Sequence, residues 1–121
     1  MSIMKKILVV EDDAPLRNAL TDKLTREGFE VIVAINGKEA LEKVGEADLV
    51  LLDIIMPYMD GISVLKQFKS DKIDIPVIML TNLSESDKVI EALDNGAFDY
   101  LVKSDWQIDD VVTKVKEKLN V

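Results

Sequence analysis

The sequence predicts an α/β protein built on a parallel β-sheet, and three observations lead to this prediction. Five short apolar runs alternate with five segments in which apolar residues recur at helical spacing. The links between these segments are short. Runs such as Leu49–Leu52 are apolar at every position, which is typical of strands buried on both faces. Strands and helices in this alternation fold as a parallel sheet that helices cover on both faces, with right-handed crossovers.

The five strands are predicted from the apolar runs. They are Ile7–Val10, Val31–Ala34, Leu49–Leu52, Val77–Leu80 and Tyr100–Val102. Pro76 comes directly before the fourth run, a position where proline removes no ladder hydrogen bond.

Five helices are predicted between and after the strands. The first ends at Gly28 and the fourth at Gly96, because glycine readily adopts the left-handed conformation that ends helices. The third begins at the Asp60-Gly61 turn, and Ser84 with Asp87 resembles a capping arrangement for the fourth. The second is a short helix from Glu39 to Val44. In chain order, the apolar positions on the five helices are Leu16, Leu20 and Leu24; Ala40, Leu41 and Val44; Ile62, Leu65 and Phe68; Val89, Ile90 and Leu93; and Val111, Val112, Val115 and Leu119.

Composition and charge exclude several classes of function. The 121 residues are most simply one domain, 1–121, with nearly half of them apolar. The absence of cysteine and histidine excludes disulfides, thiolate or imidazole metal ligands and histidine-activated nucleophiles. A net charge of −8 argues against a general nucleic-acid surface. No apolar stretch approaches the roughly 20 residues of a membrane span, and no signal peptide is recognisable, so we expect a cytoplasmic protein with no membrane contact.

Polar residues follow four of the predicted strands at their carboxyl ends. Glu11-Asp12, Asp53, Thr81 and Lys103 hold these positions. Each taken alone has an ordinary explanation as a cap, a turn residue or a solvated strand end. Together they fall on the edge of the sheet where α/β proteins bind ligands. Carboxylates crowded in this way repel one another and need a cation, and Mg²⁺ prefers such oxygen ligands.

Four stretches resemble the receiver domain of bacterial response regulators, of the chemotaxis-regulator type. They are Ile7-Leu8-Val9-Val10-Glu11-Asp12-Asp13, Leu51-Leu52-Asp53-Ile54-Ile55-Met56-Pro57-Tyr58-Met59-Asp60-Gly61, Pro76-Val77-Ile78-Met79-Leu80-Thr81 and Asp99-Tyr100-Leu101-Val102-Lys103. The resemblance covers essentially the whole chain in order and spacing. It implies a doubly wound, flavodoxin-like (βα)5 fold with a five-stranded parallel sheet of order 2-1-3-4-5.

The resemblance also implies a site and a function. Asp53 would accept a phosphoryl group from the phosphohistidine of a sensor kinase. Asp12 and Asp53, with the backbone carbonyl of Ile55, would hold Mg²⁺, and Glu11 would contact the ion through water. Such a domain assists its own phosphorylation and dephosphorylation but turns over no separate substrate.

The same resemblance assigns the residues that would respond to phosphorylation. Lys103 would pair with the phosphoryl group and Thr81 would hydrogen-bond it. Tyr100 would be the aromatic residue whose rotamer reports the switch. An inward movement of Thr81 would vacate space for Tyr100, which couples the site to the face formed by the fourth helix, fifth strand and fifth helix.

The sequence departs from the family pattern at several positions. Ser104 stands where a proline usually follows the lysine, so we expect a trans peptide or a rebuilt loop, since a cis bond before a non-proline residue costs about 2.5–4 kcal/mol. Trp106 takes the place of the usual aromatic residue, and its simplest role is a hydrophobic cover for the last helix. Ile55 and Leu83 are apolar at positions that tune access of water in this family, which predicts slow autodephosphorylation. Asn82 replaces a small residue and could alter loop closure.

Two other classes of function compete with the signalling switch. An Mg²⁺-dependent phosphohydrolase with Asp53 as nucleophile would need a second acid two residues later, where Ile55 stands. A binding module that works without phosphorylation, such as a flavin protein, would need a phosphate loop after the first strand, where Glu11-Asp12-Asp13 would repel phosphate.

The expected partners follow from the signalling interpretation. They are a sensor histidine kinase or phosphotransfer protein, and a downstream protein effector or a C-terminal output domain. We expect no direct nucleic-acid contact, and either a monomer or a phosphorylation-dependent dimer. Partner recognition is expected around Ile90, Leu93, Tyr100 and Trp106.

Overall fold

Five parallel strands form one sheet in the computed structural model, which describes residues 4–81, 86–103 and 107–121. The strands are β1 (Lys6–Val10), β2 (Glu30–Ala34), β3 (Leu49–Asp53), β4 (Val77–Thr81) and β5 (Asp99–Val102). Their order across the sheet is β2-β1-β3-β4-β5, which confirms the predicted topology. Each observed strand lies within one residue of its predicted bounds at either end.

The helices alternate with the strands as predicted. They are α1 (Ala14–Arg26), α2 (Gly37–Lys43), α3 (Gly61–Ser70), α4 (Ser86–Asp94) and α5 (Ile108–Leu119), with a short 3-10 turn at Val44–Glu46. Gly28 and Gly96 have φ angles of 94° and 98°, so each supplies the left-handed residue that ends α1 and α4. Within the described ranges, no helix has the length and apolar character needed to cross a bilayer.

Side-chain caps fix where three of the helices begin. Asp13 and Asp60 accept hydrogen bonds from the backbone N–H groups of Leu16 and Ser63, at 3.0 and 2.8 Å. Asn36 caps α2 in the same way, which explains why that helix begins at Gly37, two residues before the predicted Glu39. The predicted cap at Ser84 lies outside the described residues.

Two apolar layers, one on each face of the sheet, hold the helices in place. Alternate strand residues face alternate layers, as the period of a strand requires. One layer joins the sheet to α2, α3 and α4, and its largest buried helix residue is Phe68. The other joins the sheet to α1 and α5 through Leu20, Leu24 and the three buried valines of α5. Both faces are therefore covered, as the apolar strands predicted.

The helices differ in how firmly they are attached. An ion-pair network joins α1 to α5, since Lys23 lies 2.9 Å from Asp109 and Lys116 lies 2.8 Å from Glu27. Helix α4 is attached more lightly, because Ala92 is its one residue classed as buried among those whose side chains are described.

Candidate functional site

Strand register brings three carboxylates together at the carboxyl edge of the sheet. Val10 pairs with Leu52, so Glu11 and Asp12 leave β1 beside Asp53, the last residue of β3. One carboxylate oxygen from each acid lies within 4.8 Å of the other two. Glu11 and Asp53 are buried, whereas Asp12 is exposed. The structure thus brings together the three acids that the sequence singled out.

Lys103 contacts two of these acids directly. Its Nζ atom lies 3.0 Å from Oδ1 of Asp53 and 3.1 Å from Oε2 of Glu11. The backbone places it there, because Thr81 pairs with Val102 across β4 and β5, and the N–H of Lys103 donates to the carbonyl of Thr81 at 2.6 Å. A single ammonium group therefore lies against two buried carboxylates.

Burial and mutual repulsion govern the protonation of this cluster. Removal from water, together with the nearby charge of Asp53, raises the pKa of Glu11 to about 7. Burial also raises the pKa of Asp53, although Glu11 and Lys103 counteract part of this effect. Burial alone would lower the pKa of Lys103, but the attraction of the two carboxylates more than offsets it, so its pKa is raised. The site favours a cationic lysine and disfavours ionisation of the two buried acids, Glu11 and Asp53, without a further cation.

The donor set fits a magnesium ion. Oε2 of Glu11 is buried and has no hydrogen-bond partner among the described residues, although the ammonium of Lys103 lies 3.1 Å from it. Lys103 shares its single charge between two buried carboxylates, so this oxygen can still take a water or a further cation. Mg²⁺ takes one or two carboxylates and keeps several waters, which Glu11, Asp12 and Asp53 can provide.

Arg17 secures the loop that carries two of the acids, and the sequence interpretation missed it. Its guanidinium Nη1 donates to the carbonyls of Glu11 at 3.0 Å and Asp12 at 3.4 Å. It lies one turn after Asp13, the residue that caps α1. The sequence signal that could have predicted this contact is an arginine one turn inside a helix that follows an acidic loop.

Gly61 permits the chain to turn back behind Asp53. Its N–H donates to the carbonyl of Ile54 at 2.8 Å. A Cβ atom at this position would overlap the carbonyl oxygen of Asp53 and lie 3.0 Å from the Asp53 carbonyl carbon. Only glycine allows so close an approach of the backbone, so Gly61 lets the start of α3 pack directly against the end of β3.

The remaining predicted residues lie on the same edge of the sheet or just beside it. Thr81 ends β4, is 1% exposed, and follows Leu80, the residue paired with Asp53. Tyr100 lies on β5 and is 38% exposed, and Ile55 is exposed two residues beyond Asp53. The expectations for Asn82, Leu83, Ser104 and Trp106 fall outside the described residues.

Comparison with known proteins identifies the family. The model of the response regulator receiver domain matches residues 7–116. Chemotaxis protein CheY of Bacillus subtilis is 41% identical over 118 residues, which are 95% of this chain and 98% of that protein. Regulatory protein AtoC of Escherichia coli is 37% identical over the whole chain, which spans only 26% of AtoC.

Solved structures agree with this assignment. A CheY-like receiver domain protein from Methanospirillum hungatei superposes with a TM-score of 0.89 at 31% identity, covering 98% of this chain and 95% of that one. The receiver domain of the Francisella response regulator 1452 gives a TM-score of 0.85 at 37% identity, with 93% of each chain covered. The chain belongs to the response regulator receiver domain family. It is a signalling domain of two-component systems, in which phosphorylation controls output and an acidic pocket typically binds Mg²⁺.

Proposed function

We propose that Asp53 accepts a phosphoryl group from the phosphohistidine of a sensor kinase or phosphotransfer protein. An Asp53 carboxylate oxygen bonds to phosphorus as the P–N bond of the donor breaks. The electron pair of that bond stays on the imidazole nitrogen, which takes a proton from water and leaves as neutral imidazole. The observation that carries this proposal is the contact of Asp53 with Lys103 inside a cluster of acids.

The chain's own groups contribute positioning and charge, which phosphoryl transfer needs more than it needs a base. Lys103 can follow the developing negative charge, because an ammonium on a flexible stem moves easily from carboxylate to phosphoryl oxygen. The hydroxyl of Thr81 is a donor at the end of the neighbouring strand. Glu11, Asp12 and Asp53, with the carbonyl of Ile55, would hold Mg²⁺. When bound, the ion supplies neutralising charge for the phosphoryl oxygens.

Output is proposed to pass from Thr81 through Tyr100 to the face formed by α4, β5 and α5. An aspartyl phosphate adds about two negative charges, which attract nearby donors. Tyr100 lies on the strand beside Thr81 and is partly exposed, so a change in its rotamer would alter that face. The exposure of Ile90 and Leu93 on α4 supports an effector-binding role for the same surface.

The proposed partners are the phosphodonor and either a protein effector or an output domain. We also propose that residues 1–121 form one domain that acts in the cytoplasm, and that they make no direct nucleic-acid contact, because their net charge of −8 repels phosphate. Relatives such as the DNA-binding response regulator MtrA of Mycobacterium bovis are longer, and this chain spans 52% of MtrA. We propose that residues 1–121 do not themselves provide such DNA binding.

Intact mass spectrometry tests the central claim. The protein is incubated with acetyl phosphate, with and without Mg²⁺. We expect a gain of one phosphoryl group that requires Mg²⁺ and disappears in Asp53→Asn. Asp48→Asn serves as the matched control, because Asp48 is a carboxylate outside the site whose side chain accepts from the backbone of Lys6. A gain retained in Asp53→Asn, or none in the wild-type protein, would refute the proposal.

A further inference from the structure

Tyr58 is a fully exposed aromatic residue in the loop that follows the proposed phosphoryl acceptor. The residue is 101% exposed, the highest value among the exposed large hydrophobic residues of the described chain. Its φ angle is 70°, in the left-handed region that a bulky residue rarely occupies. Asn or Gly would fit that backbone without strain. Folding alone therefore favours another residue type at this position.

The position of Asp53 determines where a protein donor must lie. Asp53 is 4% exposed at the end of a central strand. In-line transfer needs the donor nitrogen within a few ångströms of the acceptor oxygen. A protein that carries phosphohistidine must therefore rest on the loops that surround Asp53, including residues 54–60. Tyr58 lies in this loop, five residues after the acceptor.

Other apolar side chains extend the exposed surface around Tyr58. Ile55 lies in the same loop, and Ile35 follows β2 at the same edge of the sheet; both are about half exposed. The loop of residues 54–60 packs against the start of α2, two residues after Ile35, since a Cβ atom at Gly37 would lie 3.0 Å from Cβ of Met59. Ile35, Ile55 and Tyr58, which we call the apolar collar, thus lie on adjoining loops.

Charge alone does not provide docking for the donor. The loops next to the acceptor carry Glu11, Asp12, Asp13 and Asp60, and the phosphoryl group of the donor is itself anionic. Lys103 is already engaged by two of the site's carboxylates. Apolar contact is the source of binding energy that this repulsion does not oppose.

We propose that Tyr58 is a docking anchor for the phosphohistidine-bearing protein, seated in an apolar recess of that partner, with the apolar collar as its surroundings. This inference rests on the proposed function of Asp53 and deepens it. A rigid aromatic side chain that anchors an interface at its centre is a frequent hot spot.

The test compares a small donor with a protein donor. Phosphoramidate presents the same P–N bond without any docking surface. The protein donor is the phosphohistidine-bearing domain of a sensor kinase, chosen from a panel as the one that phosphorylates the wild-type chain fastest. The variants are Tyr58→Ala and Tyr58→Gly, and Phe98→Ala is the matched control. Phe98 is an exposed aromatic residue directly before β5, at the opposite edge of the sheet.

We expect both Tyr58 variants to lose at least about tenfold in kcat/KM with the protein donor, mainly through KM. With phosphoramidate their rates stay within about twofold of wild type. Tyr58→Gly also relieves the backbone, so its Tm stays level or rises, which excludes unfolding as the cause. Unchanged transfer from the protein donor overturns the inference, and so does an equal loss with both donors. A wild-type protein that phosphoramidate cannot label instead overturns the proposed function.

Discussion

The ammonium of Lys103 lies between the carboxylates of Asp53 and Glu11, 3.0 Å from the one and 3.1 Å from the other. Both acids are buried, and each has a raised pKa caused first by loss of solvent. The lysine is thus the cation that the chain itself provides for the cluster. A phosphoryl group on Asp53 would compete with Glu11 for it. Five predictions test this arrangement and the backbone around it.

Replacement of Lys103 by methionine is expected to destabilise the fold in a pH-dependent manner. Two buried carboxylates would lose their cation, at a cost of about 1–3 kcal/mol at pH 8. The cost is smaller at pH 6, because Glu11, whose pKa is raised to about 7, is then largely neutralised by protonation. Urea unfolding at the two pH values measures this, and Lys114→Met is the control, since Lys114 pairs with Asp99 at a more exposed position. Equal losses for both variants would contradict the prediction.

Glu11 is expected to make the metal-free protein less stable as pH rises. Its pKa is about 7 in the folded protein against 4.5 for the unfolded chain, so the folded state binds more protons between these values. The stabilising contribution is complete below about pH 4.5 and is lost as pH rises through 7, up to about 3 kcal/mol. The difference in unfolding free energy between wild type and Glu11→Gln, measured without Mg²⁺ from pH 5 to 8.5, isolates this effect. A difference that does not vary with pH would contradict it. Added Mg²⁺ is expected to reduce the loss.

Substitution of Arg17 by alanine is expected to weaken Mg²⁺ binding. The guanidinium holds the carbonyls of Glu11 and Asp12, so its removal loosens the loop that presents both acids. Mutation of a residue that orients metal ligands typically weakens metal affinity by about tenfold or more. Calorimetric titration with Mg²⁺ gives the Kd directly. Arg26→Ala is the control on the same helix, since Arg26 pairs only with the exposed Asp22 among the described residues. Equal Kd values for the two variants would exclude this role.

Alanine at position 61 is expected to disturb the acceptor through the backbone. The added methyl group would overlap the Asp53 carbonyl, and overpacking of this kind costs about 1–3 kcal/mol. We expect a lower Tm and slower phosphorylation by acetyl phosphate. Gly45→Ala is the matched control, because nothing lies within 4 Å of a Cβ atom there. A Gly61→Ala protein with wild-type Tm and phosphorylation rate would show that the backbone accommodates the methyl group without disturbing Asp53.

Ile55→Asn is expected to shorten the lifetime of the aspartyl phosphate. An apolar side chain beside the site cannot orient an attacking water, whereas an amide can donate and accept hydrogen bonds. We expect a several-fold faster loss of the phosphoryl group, measured by intact mass over time. Ile35→Asn, an equivalent change at the same edge of the sheet, should leave the lifetime unaltered. Phosphoprotein that is lost faster from the wild type than from Ile55→Asn would refute slow autodephosphorylation.

The sequence allowed the fold and most of the candidate site to be predicted, for physical reasons. Runs such as Leu49–Leu52 are apolar on both faces, and that pattern admits little besides a covered parallel sheet. Parallel strands also carry their ends to one edge, so Glu11, Asp53 and Thr81 had to lie near one another. The start of α2 was misplaced by two residues because Asn36 was not recognised as its cap.

Other features depend on three-dimensional contacts that no local pattern reveals. The role of Arg17 requires a side chain to turn back onto carbonyls five and six residues earlier. The bridging of two acids by Lys103 depends on the side-chain geometry at the ends of three strands. The left-handed backbone of Tyr58 also could not be predicted, because a bulky aromatic residue rarely adopts that conformation.

The light attachment of α4 has a consequence for local stability. The side chain of Ala92 is small and buries little apolar surface. The larger side chains of Ile90 and Leu93 are exposed to solvent and add little burial of their own. Local opening free energies follow buried apolar contact, so α4 is expected to detach from the sheet at a smaller cost than α1 or α5. A partner that covers Ile90 and Leu93 would bury the apolar surface that these residues expose in the isolated domain. A partner bound at this surface would therefore also hold α4 against the sheet. Its affinity would depend on the fraction of molecules in which α4 is already docked before binding.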